Sequence, residues 1–257
     1  MSKKTQTRQD EIYQQLLTQG EVRVNELAAH FSVSMETIRK DLSRMEQEGL
    51  LVKTHGGAMT AELKEASVDR KQMEHAEWKK AIARAALPLI QDHTVIFLGP
   101  GSTTLALAKL LPLKKDLIIA TNSLPIAQLV TDMRHELIFT GGKILKRGKA
   151  ATGAFTNTYI DSIHIDTAFM GCDGFRNRAG PTTFAYEEME VKQHVLRQAS
   201  KKVLLCDASK FQKVGIYTFA SFAMFDVLIT NVITLAQKQR IKDVPRIIQA
   251  GGNEKDE

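Results

Sequence analysis

Asn25-Glu26-Leu27-Ala28-Ala29-His30-Phe31-Ser32-Val33-Ser34-Met35-Glu36-Thr37-Ile38-Arg39-Lys40-Asp41-Leu42-Ser43-Arg44-Met45-Glu46-Gln47-Glu48 is the stretch on which the reading of this chain turns. Its apolar residues recur at steps of three and four on both sides of Ser32-Val33, a break too short for anything but a tight turn. The pattern predicts a helix, a turn and a second helix. Asn25 is the candidate N-cap of the first and Ser34 of the second, which runs to about Gly49. Upstream, Ile12, Leu16 and Leu17 predict another helix closed by Gly20. Downstream, 50–59 reads as an extended hairpin around Gly56-Gly57, as a β-wing would. At 100° per residue, Met35, Ile38, Leu42 and Met45 form one face of the helix after Ser34. Glu36, Lys40, Ser43, Arg44 and Gln47 lie opposite, Thr37 and Arg39 at the margins, and Asp41, Glu46 and Glu48 toward the flanks. Such a helix can enter a major groove, with Lys53 and His55 of the wing reaching the flanking backbone or minor groove. The candidate DNA-contacting set is Ser34, Met35, Glu36, Thr37, Arg39, Lys40, Ser43, Arg44, Lys53 and His55.

Net charge does not make that case. The 257 residues carry a formal charge of +6, yet residues 1–60 hold eight basic and eight acidic side chains, leaving the whole surplus in the remainder. Part of it is the run Lys143, Lys146, Arg147 and Lys149, either a solvated loop or a contact for an anionic metabolite or the DNA backbone. With 43% hydrophobic residues the chain can bury a core. It shows no apolar run of membrane-spanning length and no secretory leader, so a cytoplasmic location is expected. Cys172 and Cys206 fall in no C-x-x-C and read as ordinary buried thiols. The seven histidines never pair at ligand spacing, and no metal or cofactor is expected.

The stretch 60–77 is polar and highly charged and reads as a linker. This divides the chain into a head over 1–59, a linker over 60–77, a second domain over 78–250 and a polar tail over 251–257. In the second domain, short apolar runs at 93–98, 117–120, 136–139, 167–170, 203–206, 227–229 and 246–249 alternate with helical stretches at 103–111, 124–133, 187–200 and 235–241. That alternation predicts an α/β fold with a doubly wound, mostly parallel sheet. Three strand ends run into small and polar residues: Gly101-Ser102-Thr103-Thr104, Asn122-Ser123 and Gly142-Lys143. Together they describe a crevice for a polar ligand, with a phosphate suited to the first. Lys143 and Lys210 are candidates to neutralise its charge and Asp173 to accept hydroxyls. Gly99 to Thr104 is no dinucleotide fingerprint, and Gly142 to Lys149 lacks the spacing and hydroxyl of a P-loop.

Val33-Ser34-Met35-Glu36-Thr37-Ile38-Arg39-Lys40-Asp41-Leu42, with His55-Gly56-Gly57-Ala58 after it, closely resembles the head of the DeoR family of bacterial transcriptional regulators. There V-S-x-x-T-I-R-R-D-L is followed by h-G-G-A, and Lys40 stands at the second Arg. The likeness continues through Gly101 to Thr104, Thr121-Asn122-Ser123, Gly141-Gly142-Lys143, Asp166 to Gly171, Asp173-Gly174, Val191-Lys192 and Asp207 to Phe211. It implies a winged helix-turn-helix followed by a sensor domain similar to ribose-5-phosphate isomerase and CoA-transferase folds. It further implies a repressor of a sugar or carbohydrate catabolic operon, released from double-stranded operator DNA by a phosphorylated sugar and assembled as a homo-oligomer, dimer or tetramer. The alternative is a sugar-phosphate isomerase with an accessory nucleic-acid-binding head, in which Asp173, Lys210 and Glu187 or Glu188 would move protons. Two departures bear on the ligand: Gly99-Pro100 replaces the family's Asp before the Gly-Ser/Thr loop, and Gln193 replaces the Arg after Val191-Lys192.

Overall fold

The computed structural model describes residues 3–19, 21–47, 50–54, 56–60 and 68–251. Gly20, Glu48, Gly49, His55, residues 61–67 of the expected linker and the tail beyond 251 lie outside them. The chain divides into two compact units, one up to Ala66 and one from Ser67.

In the first unit, α1 (Lys3–Gln19) is followed by β1 (Glu21–Arg23), α2 (Val24–Phe31), α3 (Met35–Gln47), β2 (Leu51–Thr54) and β3 (Gly57–Thr60). Ile12 and Leu16 of α1, Leu27 of α2 and Ile38, Leu42 and Met45 of α3 are buried against one another. Ser32 takes the left-handed conformation, φ 50° and ψ 46°, that makes the turn between α2 and α3. Thr37 then donates its backbone N–H to Ser34 Oγ at 3.2 Å, the cap expected of Ser34. The wing has a third strand, because β1 pairs antiparallel with β3, which pairs with β2. Two adjacent glycines permit this: Gly56 sits at φ +102°, and a Cβ on Gly57 would lie 2.1 Å from the Val22 carbonyl oxygen across the β1–β3 pair.

Three expectations fail here. Asn25 is not the cap of α2, which starts at Val24 after an extended Arg23; the strand β1 consumes the residues that the cap would need. Met35 leaves the apolar face and is 49% exposed, since it is the first residue of α3 and no neighbour covers it. Asp41 does not flank the surface. It is buried, accepting from Arg8 Nε at 2.6 Å and Gln9 Nε2 at 3.0 Å, and so fastens α3 to α1. Removing one partner of such a pair strands the other. Asp41→Ala should destabilise the first unit by about 3 kcal/mol, seen as a lower urea midpoint for its unfolding. An unchanged midpoint would exclude this anchor.

The second unit begins earlier than expected, with α4 (Val68–Met73) and α5 (Ala76–Ala86). Val68 is buried and donates its N–H to the Arg147 carbonyl at 3.1 Å, so the end of the charged stretch 60–77 is structured, and its Lys71 and Glu74 form ion pairs with Asp173 and Lys213. Then follow β4 (Val95–Leu98), α6 (Ser102–Ala108), β5 (Ile118–Thr121), α7 (Leu124–Thr131), β6 (Glu136–Phe139), β7 (Lys143–Leu145), β8 (Ala150–Thr152), α8 (Ala154–Asp161), β9 (Ile165–Met170) and β10 (Thr182–Thr183). The chain continues with α9 (Tyr186–Gln198), β11 (Ala199–Leu205), β12 (Tyr217–Thr218), β13 (Val227–Asn231), α10 (Leu235–Arg240) and β14 (Arg246–Ala250). All seven expected strands join one parallel sheet of order β14-β13-β11-β9-β4-β5-β6. Both faces are covered, and side chains alternate between them. Phe97, Ala168, Met170 and Leu204 pack with Val191 and Val195 of α9, while Ile96, Leu98, Phe169 and Leu205 pack with Ile82, Ala83 and Ala86 of α5. From the centre the order runs one way through β4, β5 and β6 and the other through β9, β11, β13 and β14. The reversal lies between β4 and β9, a topological switch point.

The antiparallel pairs β7–β8 and β10–β12 and the helix α8 were not expected. Their strands of two or three residues are too short to display a period of two, and α8 buries little beyond Thr156 and Ile160.

Candidate functional site

On the head, Lys40, Ser43, Arg44 and Gln47 line an open groove along α3. Ser43 Oγ donates to the Arg39 carbonyl at 2.7 Å and accepts from Lys53 Nζ at 2.9 Å; the Lys53 N–H donates to Glu46 Oε1 at 3.1 Å. Lys53 thus fixes the wing's first strand against α3. Glu36 pairs with Arg39 at 3.7 Å, and Thr37 exchanges a hydrogen bond with Ser34 at 2.9 Å. Ser34, Met35, Glu36, Arg39, Lys40, Arg44 and Lys53 are exposed and Thr37 and Ser43 half-buried, so the described members of the set share an accessible surface built on α3.

In the second unit the strand ends converge as the spacing suggested, though the side chains play other parts. Thr121 Oγ1 donates to the Leu98 carbonyl at 2.6 Å and accepts from the Ser123 N–H at 3.0 Å, tying the ends of β4 and β5 together. Asn122 is fully buried and donates from Nδ2 to the Ala151 carbonyl at 2.9 Å, which holds the β7–β8 hairpin. Among the described residues its Oδ1 has no hydrogen-bond partner. A small cavity opens beside it, walled by Gly99, Pro100, Gly171, Glu188 and Lys192, at the switch point. Ser102 is half-buried beside the buried Thr103. It also lines a groove of about 330 Å³ between α5 and α6, rimmed by Lys79, Lys80, Arg84 and Lys109.

Three expected ligand contacts are placed otherwise, and a fourth, Asp173, is already engaged by protein partners. Thr104 is fully buried, and its hydroxyl donates back to the Gly101 carbonyl at 2.9 Å. Gly142 packs into the hairpin, where a Cβ would lie 2.3 Å from Thr156 Oγ1, so its role is close packing. Lys143 points to solvent and pairs loosely with Glu187 Oε1 at 3.4 Å, because the chain beyond β6 turns away into β7. Asp173 is buried and already accepts from Lys71 Nζ at 2.6 Å and Thr183 Oγ1 at 3.3 Å.

Periodicity missed the lysines that meet these carboxylates. Lys192 Nζ lies 2.8 Å from Glu188 Oε1 and donates to the Gly171 carbonyl at 3.1 Å, both side chains being buried. The i,i+4 spacing of Glu188 and Lys192 was the one sequence signal available. Lys79 is 4% exposed and donates to the carbonyls of Lys71 and, at 2.5 Å, Glu74. Burial raises Asp173, but Lys71, Lys192 and Lys210 outweigh it and hold the carboxyl below its ordinary value. At Asp207 burial is likewise outweighed, by Lys210, Ser209 and Lys79, and its Oδ2 has no hydrogen-bond partner among the described residues. Among the described residues, Lys71, Lys79, Lys192, Lys210 and Lys213 therefore face Asp173, Glu188, Asp207 and Glu74 in one connected network, with one more cation than anion.

Residues 8–63 match the DeoR-like helix-turn-helix domain, and residues 74–232 match the DeoR C terminal sensor domain. The chain belongs to the DeoR family of transcriptional regulators. Among its relatives, the lactose phosphotransferase system repressor of Staphylococcus epidermidis is 31% identical over 94% of this chain and 98% of its own length. The HTH-type transcriptional regulator GolR of Listeria innocua is 32% identical over 92% and 94%. Ribose 5-phosphate isomerase A of Methanocaldococcus jannaschii overlaps only partially, at 20% identity over 53% of this chain and 55% of that chain, with a TM-score of 0.38. No described helix of this DeoR-family chain is long and apolar enough to cross a membrane.

Burial is the largest influence on Lys79 in this sensor domain and lowers its pKa from 10.5 to about 8, with Asp207 and Glu74 opposing and Lys210 and Lys213 adding to it. Between pH 8 and 10.5 the unfolded chain holds a proton that the folded one has released, so the free energy of unfolding rises with pH across that window. Lys79→Met should flatten this rise, measured from denaturant midpoints across the window. A slope as steep as the wild type's would assign it to other groups.

Proposed function

We propose that the chain is a ligand-responsive repressor of a sugar or carbohydrate catabolic operon, released from its operator by a phosphorylated sugar that binds at the β4–β9 switch point and needs no cofactor. The observation that carries this reading is the buried network with its surplus cation. The unpartnered Asn122 Oδ1 and Asp207 Oδ2 lie at the same strand ends, where hydroxyl donors of a sugar would satisfy them. The ligand residues in this reading are Gly101, Ser102, Thr103, Asn122, Ser123, Asp173 and Lys210, with Lys71, Lys79 and Lys192 added; Thr104 and Gly142 support the backbone. A relative named for a lactose phosphotransferase system supports the substrate class. The head reads DNA through the exposed face of α3 with the wing alongside, and the chain acts as a homo-oligomer that brings two heads to half-sites.

The isomerase alternative asks for a carboxylate poised near neutral pH. Of the carboxylates that reading names, Asp173 and Glu187 are held in the opposite direction, below the ordinary carboxylate value. A thermal-shift series with pentose and hexose phosphates should therefore give stabilisation without interconversion of the sugar. Measurable isomerisation would replace this reading with the enzymatic one.

On the DNA side, Lys40→Gln and Arg44→Gln should weaken operator binding and lower the slope of log K against log salt by about 0.9 for each phosphate no longer neutralised. Slopes equal to the wild type's would remove both residues from the interface.

A further inference from the structure

Cys172 and Cys206, the two cysteines of the chain, are 34 residues apart in sequence, but the sheet brings them together. The last register pair of β9 and β11 is Met170 with Leu204, and each cysteine lies two residues beyond its partner of that pair. Two residues restore the same face of a strand. Cys206 accordingly lies in the same apolar cluster as Met170 and Leu204, and Cys172 packs against that cluster. Both cysteines lie just past the ends of these strands, whose paired backbones run about 4.8 Å apart, and a disulfide spans roughly 4.4–6.8 Å between Cα atoms. The two side chains are close enough for Cys172 to bear on the titration of Cys206. The expectation of two ordinary buried thiols therefore fails at Cys172, which is half-buried; Cys206 is fully covered.

Their surroundings divide the chemistry between them. Lys192 Nζ donates to the carbonyl of Gly171, the residue before Cys172, at 3.1 Å, which sets an ammonium beside this cysteine. Its contact with Cys172, burial and the nearby Asp207 all keep Cys206 protonated. An accessible sulfur beside a cation, backed by a covered thiol in contact with it, is the arrangement of an attacking and a resolving cysteine.

We propose that Cys172 and Cys206 form a peroxide-responsive dithiol that closes to an intrachain disulfide beside the switch-point crevice. The Cys172 thiolate attacks one oxygen of a hydroperoxide, and the O–O bond breaks. The departing oxygen keeps the electron pair, takes up the proton released by Cys172 and leaves as water or an alcohol. Cys172 is then a sulfenic acid. The Cys206 sulfur attacks it, the S–O bond breaks, and the hydroxide leaves with the Cys206 proton as water. Two thiols lose two electrons in all, and the hydroperoxide gains them. Because Asp173 and Asp207 directly follow the two cysteines, the bridge ties together the loops that carry both carboxylates. The chemistry of the pair is independent of what the crevice binds.

The test treats the folded full-length chain with hydrogen peroxide and follows free thiols, intact mass and linked peptides. The expected result is the loss of both thiols, a mass lower by two hydrogens, a Cys172–Cys206 linked peptide and full reversal by dithiothreitol. Cys172→Ser should abolish the bridge, and Cys206→Ser should leave a Cys172 sulfenic acid that dimedone traps. Two free thiols persisting in the wild type, cross-links between chains alone, or over-oxidation of Cys172 with Cys206 still free would each overturn the proposal.

Discussion

Burial of the seven-stranded parallel sheet on both faces is the constraint from which the rest follows. Side chains on either side of a strand must then be apolar, as Ile96, Phe97 and Leu98 are, so polar chemistry is driven to the strand ends. There the reversal between β4 and β9 keeps the outgoing connections apart and leaves room at the centre of the edge. Asn122, Asp173 and Asp207 all stand one to three residues beyond a strand's last residue. Helices on opposite faces then supply the cations, Lys79 from α5 and Lys192 from α9, with Lys71 from α4. The crevice follows from the winding of the chain more than from any one motif.

This explains what the sequence showed of the site and what it withheld. The seven strands were legible because short apolar runs end at Gly, Asn or Asp, and the 136–139 run matches β6 residue for residue. Asn122, Ser123 and Asp173 were legible because they close such runs. The cations were not, since their partners are distant in sequence: Lys71 meets Asp173 across 102 residues. A lysine in a charged helix looks like a solvated one until the tertiary fold brings a carboxylate to it. Lys143 shows the reverse error. It followed a predicted strand closely enough to be placed in the crevice, but the two-glycine turn carries it into a hairpin and out to solvent.

The head illustrates the same limit in its charge count. Eight acids and eight bases suggest a neutral surface, yet Asp41 and Arg8 neutralise one another inside the fold. Glu36 lies against Arg39, and Glu46 accepts the backbone N–H of Lys53. These acidic groups are engaged in structure around α3, while Lys40 and Arg44 both line its open groove. The arrangement of charge, rather than its sum, suits the face to a polyanion.

The same reasoning applies to the surplus cation of the sensor domain. Lys79 lies so deep that its ammonium loses its proton near pH 8, although Asp207 opposes the loss. A phosphate brought beside it adds a second opposing charge, stabilises the ammonium and raises that pKa. Binding of an anion there is then linked to proton uptake at mildly alkaline pH, and the same linkage makes the affinity fall as pH rises through the pKa of the free form. A neutral sugar would bring no such coupling. In the proposed reading, the depth of Lys79 would give the crevice a physical means of preferring phosphorylated over free sugars, beyond the contacts that either would make.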